Sequence, residues 1–115
     1  METTFTLESM LDNLEPLREL EHQLKLIHGL KIFFVEPEDT NAPVLISVGV
    51  HARSEQAELA IRRIAHELFD FLHASAEEPG PRQLTLVTIE GQSFELEPLS
   101  SDEIKQIITE AYEGQ

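Results

Sequence analysis

Hydrophobic positions along this chain fall into two alternating periods, and the changes of period mark its elements. From Val44 to Val50 the apolar residues Val44, Ile46, Val48 and Val50 recur at every second position. Side chains alternate faces along a strand, so these four share one face and leave Leu45, Ser47 and Gly49 on the other. The β-branched content of the stretch suits a pleated, buried surface, and the pattern predicts a central strand. Leu30 to Val35 also alternates, with Leu30, Ile32 and Phe34 on one face and Lys31, Phe33 and Val35 on the other. Both faces are largely apolar. The intervening 36–43 segment has two prolines and turn-forming residues, so the two strands are expected to pair as a hairpin. Three acids in that connection lack the ligand spacing of a calcium loop and read as a solvated turn.

Elsewhere the period lengthens to that of a helix. Leu17, Leu20, Leu24 and Ile27 form a stripe in a helix expected over about 16–28, with Pro16 in its first turn and Gly29 beyond its end. Glu21 and Lys25 are ordered for an i,i+4 pair on its solvated side. Before it, Leu7, Met10, Leu11 and Leu14 follow helical spacing with Thr6 as N-cap, which predicts an N-terminal helical extension over 1–15. Ala57, Ile61, Ile64, Leu68, Phe71 and Leu72 predict a long helix from Ser54 to about His73, broken by the proline-rich 75–81 stretch. Leu84 to Ile89 and Phe94 to Leu96 read as a second hairpin around Gly91, its last strand at a charged edge. Ser100 and Glu103 make a capping box for a final helix, with Leu99 placed to staple onto Ile104.

Past the extension, the order is helix-strand-strand-helix-strand-strand-helix. Hairpins joined by helices imply an α+β domain spanning 1–115, a mainly antiparallel sheet with the helices packed on one face. At 115 residues and 41% hydrophobic content the chain has enough apolar surface for a single core.

Charge changes the functional picture more than composition does. Eight Lys and Arg face 22 Asp and Glu, a net charge of -14. Such a field repels phosphate backbones and anionic membranes and attracts basic proteins, so no nucleic acid or membrane partner is expected. With no cysteine, disulfides and thiolate chemistry are excluded. The N-terminus lacks the basic and apolar regions of a secretory signal, and no apolar run reaches membrane-spanning length; a cytoplasmic location is expected.

Catalytic and cofactor motifs are missing: there is no nucleophile elbow, phosphate loop or dinucleotide fingerprint. No catalytic residue and no cofactor is therefore assigned, and the chain is not expected to be an enzyme. One helix face qualifies as a metal candidate. His66, Asp70 and His73 stand at i, i+4 and i+7 and would offer two imidazoles and a carboxylate to a divalent ion, given a further ligand. The same spacing also describes a solvated face with His66–Asp70 and Arg63–Glu67 pairs. Interface candidates are Phe33, Val35 and Leu45, which helices on one side of the sheet would leave uncovered, and Tyr112 near the end of the last helix. Burying that apolar surface calls for a protein partner, either a second copy in a homodimer or a basic protein.

Residues 16–115 resemble the C-terminal domain of the SseB (enhanced serine sensitivity) family. The likeness is carried by a leading helix into Gly29-Leu30-Lys31-Ile32-Phe33-Phe34 and the strand Pro43-Val44-Leu45-Ile46-Ser47-Val48. An amphipathic helix, a strand at Leu84–Ile89 and a closing helix with Ile108-Thr109-Glu110-Ala111-Tyr112-Glu113 complete it. The resemblance implies an α+β interaction domain and carries no catalytic residues with it. In size, acidity and mixed α/β content the chain is also similar to type III secretion chaperones, which implies an acidic binder of a basic client, as an immunity-type protein would be.

Overall fold

In the computed structural model, residues 3–10, 15–36, 42–51, 54–73 and 82–113 are described. They form strand β1 (Thr3–Ser9), helix α1 (Glu15–Lys25), strands β2 (Leu30–Val35) and β3 (Val44–Val50), helix α2 (Ser54–His73), strands β4 (Thr85–Thr88) and β5 (Ser93–Glu95) and helix α3 (Ser101–Glu113). The five strands make one antiparallel sheet in the order β2-β3-β1-β4-β5. The fold class is α+β, as the alternation of periods predicts.

The N-terminal extension is corrected. Residues 3–9 are a strand, not a helix, and they occupy the middle of the sheet. Phe5 and Leu7 alternate with Thr4, Thr6 and Glu8, and this two-residue period prevails over the helical spacing of Leu7 with Met10. The physical reason is non-local. The two hairpins each present an edge, and β1 satisfies both at once by pairing with β3 and with β4. Leu11 and Leu14, the remainder of that helical stripe, lie outside the described residues, as do the 37–41 and 74–81 connections. The side chain of Ser54, read from the sequence as a helix start, lies outside them too.

Registry across the sheet separates two faces. On one, Phe34, Ile46, Leu7, Leu86 and Phe94 stand in a single row across all five strands. Ile32, Val48 and Phe5 form the neighbouring row. These residues meet the stripes of the three helices, led by Leu17, Leu20 and Leu24 of α1, Ile64 and Leu68 of α2 and Ile104 and Ile108 of α3, in one continuous core. Val44–Val50 is an interior strand whose alternate residues Val44, Ile46, Val48 and Val50 are almost fully buried. No helix among the described residues is long and apolar enough to cross a membrane.

Local signals set the ends of these elements. α1 stops at Lys25, three residues before the expected end, because Leu26 and Ile27 turn their N–H groups to the carbonyls of Gln23 and Leu24 in a tighter last turn. Gly29 then adopts φ 89°, which an L side chain rarely tolerates, and directs the chain into β2. Gly91 plays the same part between β4 and β5, with φ 90° and its N–H on the Thr88 carbonyl. At α3, the Ser100 Oγ accepts from the Glu103 N–H at 3.2 Å while Glu103 Oε1 accepts from the Ser100 N–H at 3.1 Å, the reciprocal box read from the sequence.

Ile46 sits 1% exposed between Phe34 and Leu7 in its row. Ile46→Ala should cost about 2–5 kcal/mol in denaturant unfolding, and Ile46→Asp should prevent stable folding altogether. Native melting of the aspartate variant would show that the core lies elsewhere.

Candidate interface on the open sheet face

No described helix covers the other face of the sheet, and its composition differs between its two edges. One row reads Val35, Leu45, Glu8, Thr85, Glu95; the next reads Phe33, Ser47, Thr6, Val87, Ser93. Apolar side chains gather at the β2 edge; beyond it the two rows are mostly hydroxyl and carboxylate, with Glu8 on the central strand, Glu95 on β5 and Val87 the apolar exception. Phe33 is 59% exposed and Val35 50% exposed. Leu45 lies beside Val35 and is half-buried. These three of the four interface candidates therefore form one apolar corner. Behind Lys31, Gly49 leaves room for the His51 ring, since a Cβ there would stand 3.2 Å from His51 Nε2.

Tyr112 belongs elsewhere. It is half-buried and packs against the core from α3, on the helix side of the sheet, so it takes no part in the corner. Its amphipathic ring covers apolar neighbours at a helix end, which the sequence pattern of α3 alone does not distinguish from exposure.

Two of the three metal candidates pair with each other, and the third packs elsewhere. His66 Nε2 lies 3.1 Å from Asp70 Oδ2, an exposed i,i+4 pair. The His73 ring packs instead on Phe69, with centroids 4.5 Å apart. Among the described residues, no three His, Asp or Glu side chains are grouped to hold a metal ion.

A cavity of about 640 Å³ opens between α1 and α2. Leu20 and Phe71 contribute its apolar lining, and Glu15, Glu19, Glu67 and Asp70 its carboxylates. Arg82 also lines it, its Nη1 donating to the Phe71 carbonyl at 3.3 Å and its guanidinium 5.0 Å from the Phe71 ring. His22 also lines it, yet the described lining holds no hydroxyl or thiol nucleophile for an imidazole to activate.

Sequence spacing missed the cluster that fixes α1 over the β2 edge. Arg18 reaches three groups: Glu21 Oε1 at 3.2 Å, the Glu36 carboxylate, and the face of Phe34 at 3.9 Å. Lys25 Nζ takes the other Glu21 oxygen at 3.0 Å. The expected Glu21–Lys25 pair thus forms, but Glu21 is buried at 8% exposure, not on the solvated side of α1. The Arg18–Glu21 and Glu21–Lys25 pairs, at i,i+3 and i,i+4, are local; the reach from Arg18 to Glu36 and Phe34 depends on how α1 folds back along β2. Burial pushes the Glu21 carboxyl up, and the hydrogen bonds and positive charge of Lys25 and Arg18 outweigh that, holding it below the ordinary carboxylate range.

No protein-family model matches the chain, and a search of curated proteins finds no match.

Because the Glu21 carboxyl ionises more readily in the folded chain than in the unfolded one, its contribution is complete above the unfolded value of about 4.3 and fades as pH falls through the lower folded value. Glu21→Gln should cost no more than about 1 kcal/mol at neutral pH, since Arg18 and Lys25 extend into solvent. The difference from wild type should narrow below about pH 4. Urea titrations of both proteins at pH 3 and pH 7 check this; a gap that widens in acid would show that Glu21 is not stabilised as a carboxylate.

Proposed function

We propose that this chain is a non-catalytic, cytoplasmic protein-interaction domain of the SseB-like kind, and that the apolar corner of its open sheet face is the docking surface. The observation that carries this reading is the exposure of Phe33 and Val35, 59% and 50%, beside Leu45 on a face that no described helix covers. Neighbouring apolar side chains left in water favour association, because burial removes that area from solvent. The net acidity of the chain then acts on the choice of partner and the speed of encounter more than on the strength of contact. A second reading is favoured by the net charge of -14: a basic client held as an acidic secretion chaperone or immunity-type protein would hold it.

Copurification with mass spectrometry tests the reading, using wild type, Phe33→Glu and Val35→Glu. Whatever protein is held in stoichiometric amount by wild type should fall at least about tenfold with either variant, while melting stays native. Retention in both would move the docking surface away from this corner. Loss that instead tracks rising salt, with little response to either variant, would favour the basic-client reading. Stoichiometric zinc or manganese in untagged protein, abolished by His66→Ala and by His73→Ala, would replace both with a metal-dependent activity.

A further inference from the structure

We propose that the partner at this corner is a second copy of the chain, joined through β2 in an antiparallel pair that makes one ten-stranded sheet. The inference rests on the interaction reading above and names its partner.

The two edges of the sheet are built differently. β5 has three residues, with Ser93 and Glu95 on the open face, and so offers little to an incoming strand. β2 has six residues in unbroken register with β3, from Leu30↔Val50 to Val35↔Leu45, without bulge or proline. Its free backbone groups can be identified. His51 N–H donates to the Gly29 carbonyl at 2.8 Å, and Gly29 and His51 extend that same register by one step. Hydrogen-bonded pairs alternate in an antiparallel ladder, so Lys31, Phe33 and Val35 bond to β3. Leu30, Ile32 and Phe34 direct their N–H and C=O groups away from the sheet.

A two-fold axis perpendicular to the sheet keeps each side chain on its own face, so a residue of β2 pairs only with one of the same parity. Centring the pair on Phe33 uses the strand from Leu30 to Glu36. Ile32 and Phe34 then exchange hydrogen bonds across the axis. Phe33 faces the partner's Phe33 at a non-hydrogen-bonded position, where Cα atoms approach to about 4.5 Å. Lys31 faces the partner's Val35. Aromatic pairs are favoured at such sites.

Charge permits this contact where it opposes others. Arg18, Lys25 and Lys31, three of the eight basic residues, border the strand with Glu21 and Glu36. Among these described residues positive and negative groups nearly cancel, so the strand's immediate charged neighbours are less one-sided than the chain as a whole, whose net charge is -14. The register is also complementary: Leu30 faces the partner's Glu36, and α1 runs antiparallel to β2, so the partner's Glu36 arrives at the Lys25 end of α1. Each copy supplies the same pair, as an isologous contact requires.

Sedimentation velocity across the micromolar range, with matched charge variants, tests the pairing. Wild type should dimerise, and Phe33→Glu and Phe33→Lys should each weaken the dimer at least about tenfold, since each places like charges face to face. An equimolar mixture of the two should restore it. Phe33→Cys, the sole thiol in a chain without cysteine, should form a disulfide dimer on oxidation, while Ile89→Cys, 63% exposed away from β2, should not. Should a charge variant fail to fold by circular dichroism, this cysteine pair decides. A wild-type monomer throughout, a dimer indifferent to Phe33, or equal oxidation of both cysteine variants would overturn the pairing. A monomer that still loses a different protein with Phe33→Glu overturns the pairing alone and leaves the interaction reading intact.

Discussion

One layer of three helices buries one face of a five-stranded sheet, and the rest of the molecule follows from that asymmetry. Every second residue of each strand belongs to the core: Phe34, Ile46, Leu7, Leu86 and Phe94 form an apolar row against α1, α2 and α3. Most of the residues between them, Gly49 excepted, are at least partly open to solvent. Most of that second face is made tolerable by threonine, serine and glutamate. The β2 corner is different, since Phe33 and Val35 stand there at 59% and 50% exposure. A charge cluster fixes α1 directly behind it, through Arg18 on Phe34 and Glu36 and through the buried Glu21 carboxylate. The exposed corner therefore has α1 tied down on the opposite side of its strand.

β1 joins the sheet into one unit. Without it, β2–β3 and β4–β5 would be two hairpins with nothing between them, and a lone hairpin is marginal in water. Its central place also explains why threonines line the middle of the open face. Thr4 and Thr6 are β-branched, suit a strand, and carry a hydroxyl toward solvent.

Most of the fold is legible in the sequence because its signals are local. Alternation marks β2 and β3, the long stripe from Ala57 to Leu72 marks α2, and Ser100 with Glu103 marks the start of α3. β1 is not legible in the same way. Leu7 and Met10 fit a helix, Phe5 and Leu7 fit a strand, and the choice depends on partners forty and eighty residues away. The candidate site divides likewise. Phe33, Val35 and Leu45 can be placed on one face by counting along two strands, and a hairpin register brings them together. Tyr112 and Glu21 cannot be placed so, because their burial is set by how helices pack. The network from Arg18 to Glu36 spans 18 residues and closes only once α1 has folded back over the β2 edge.

Amide hydrogen exchange, resolved residue by residue along β2, tests the account at its centre. Lys31, Phe33 and Val35 bond inward to β3 and exchange slowly whether or not a partner is present. Leu30, Ile32 and Phe34 point outward and are protected only by a second strand. These three amides should become nearly as slow as their neighbours as protein concentration rises through the range of self-association, and Phe33→Glu should return them to fast exchange. Fast exchange at all three positions at every concentration, alongside a protected Lys31, Phe33 and Val35, would contradict it.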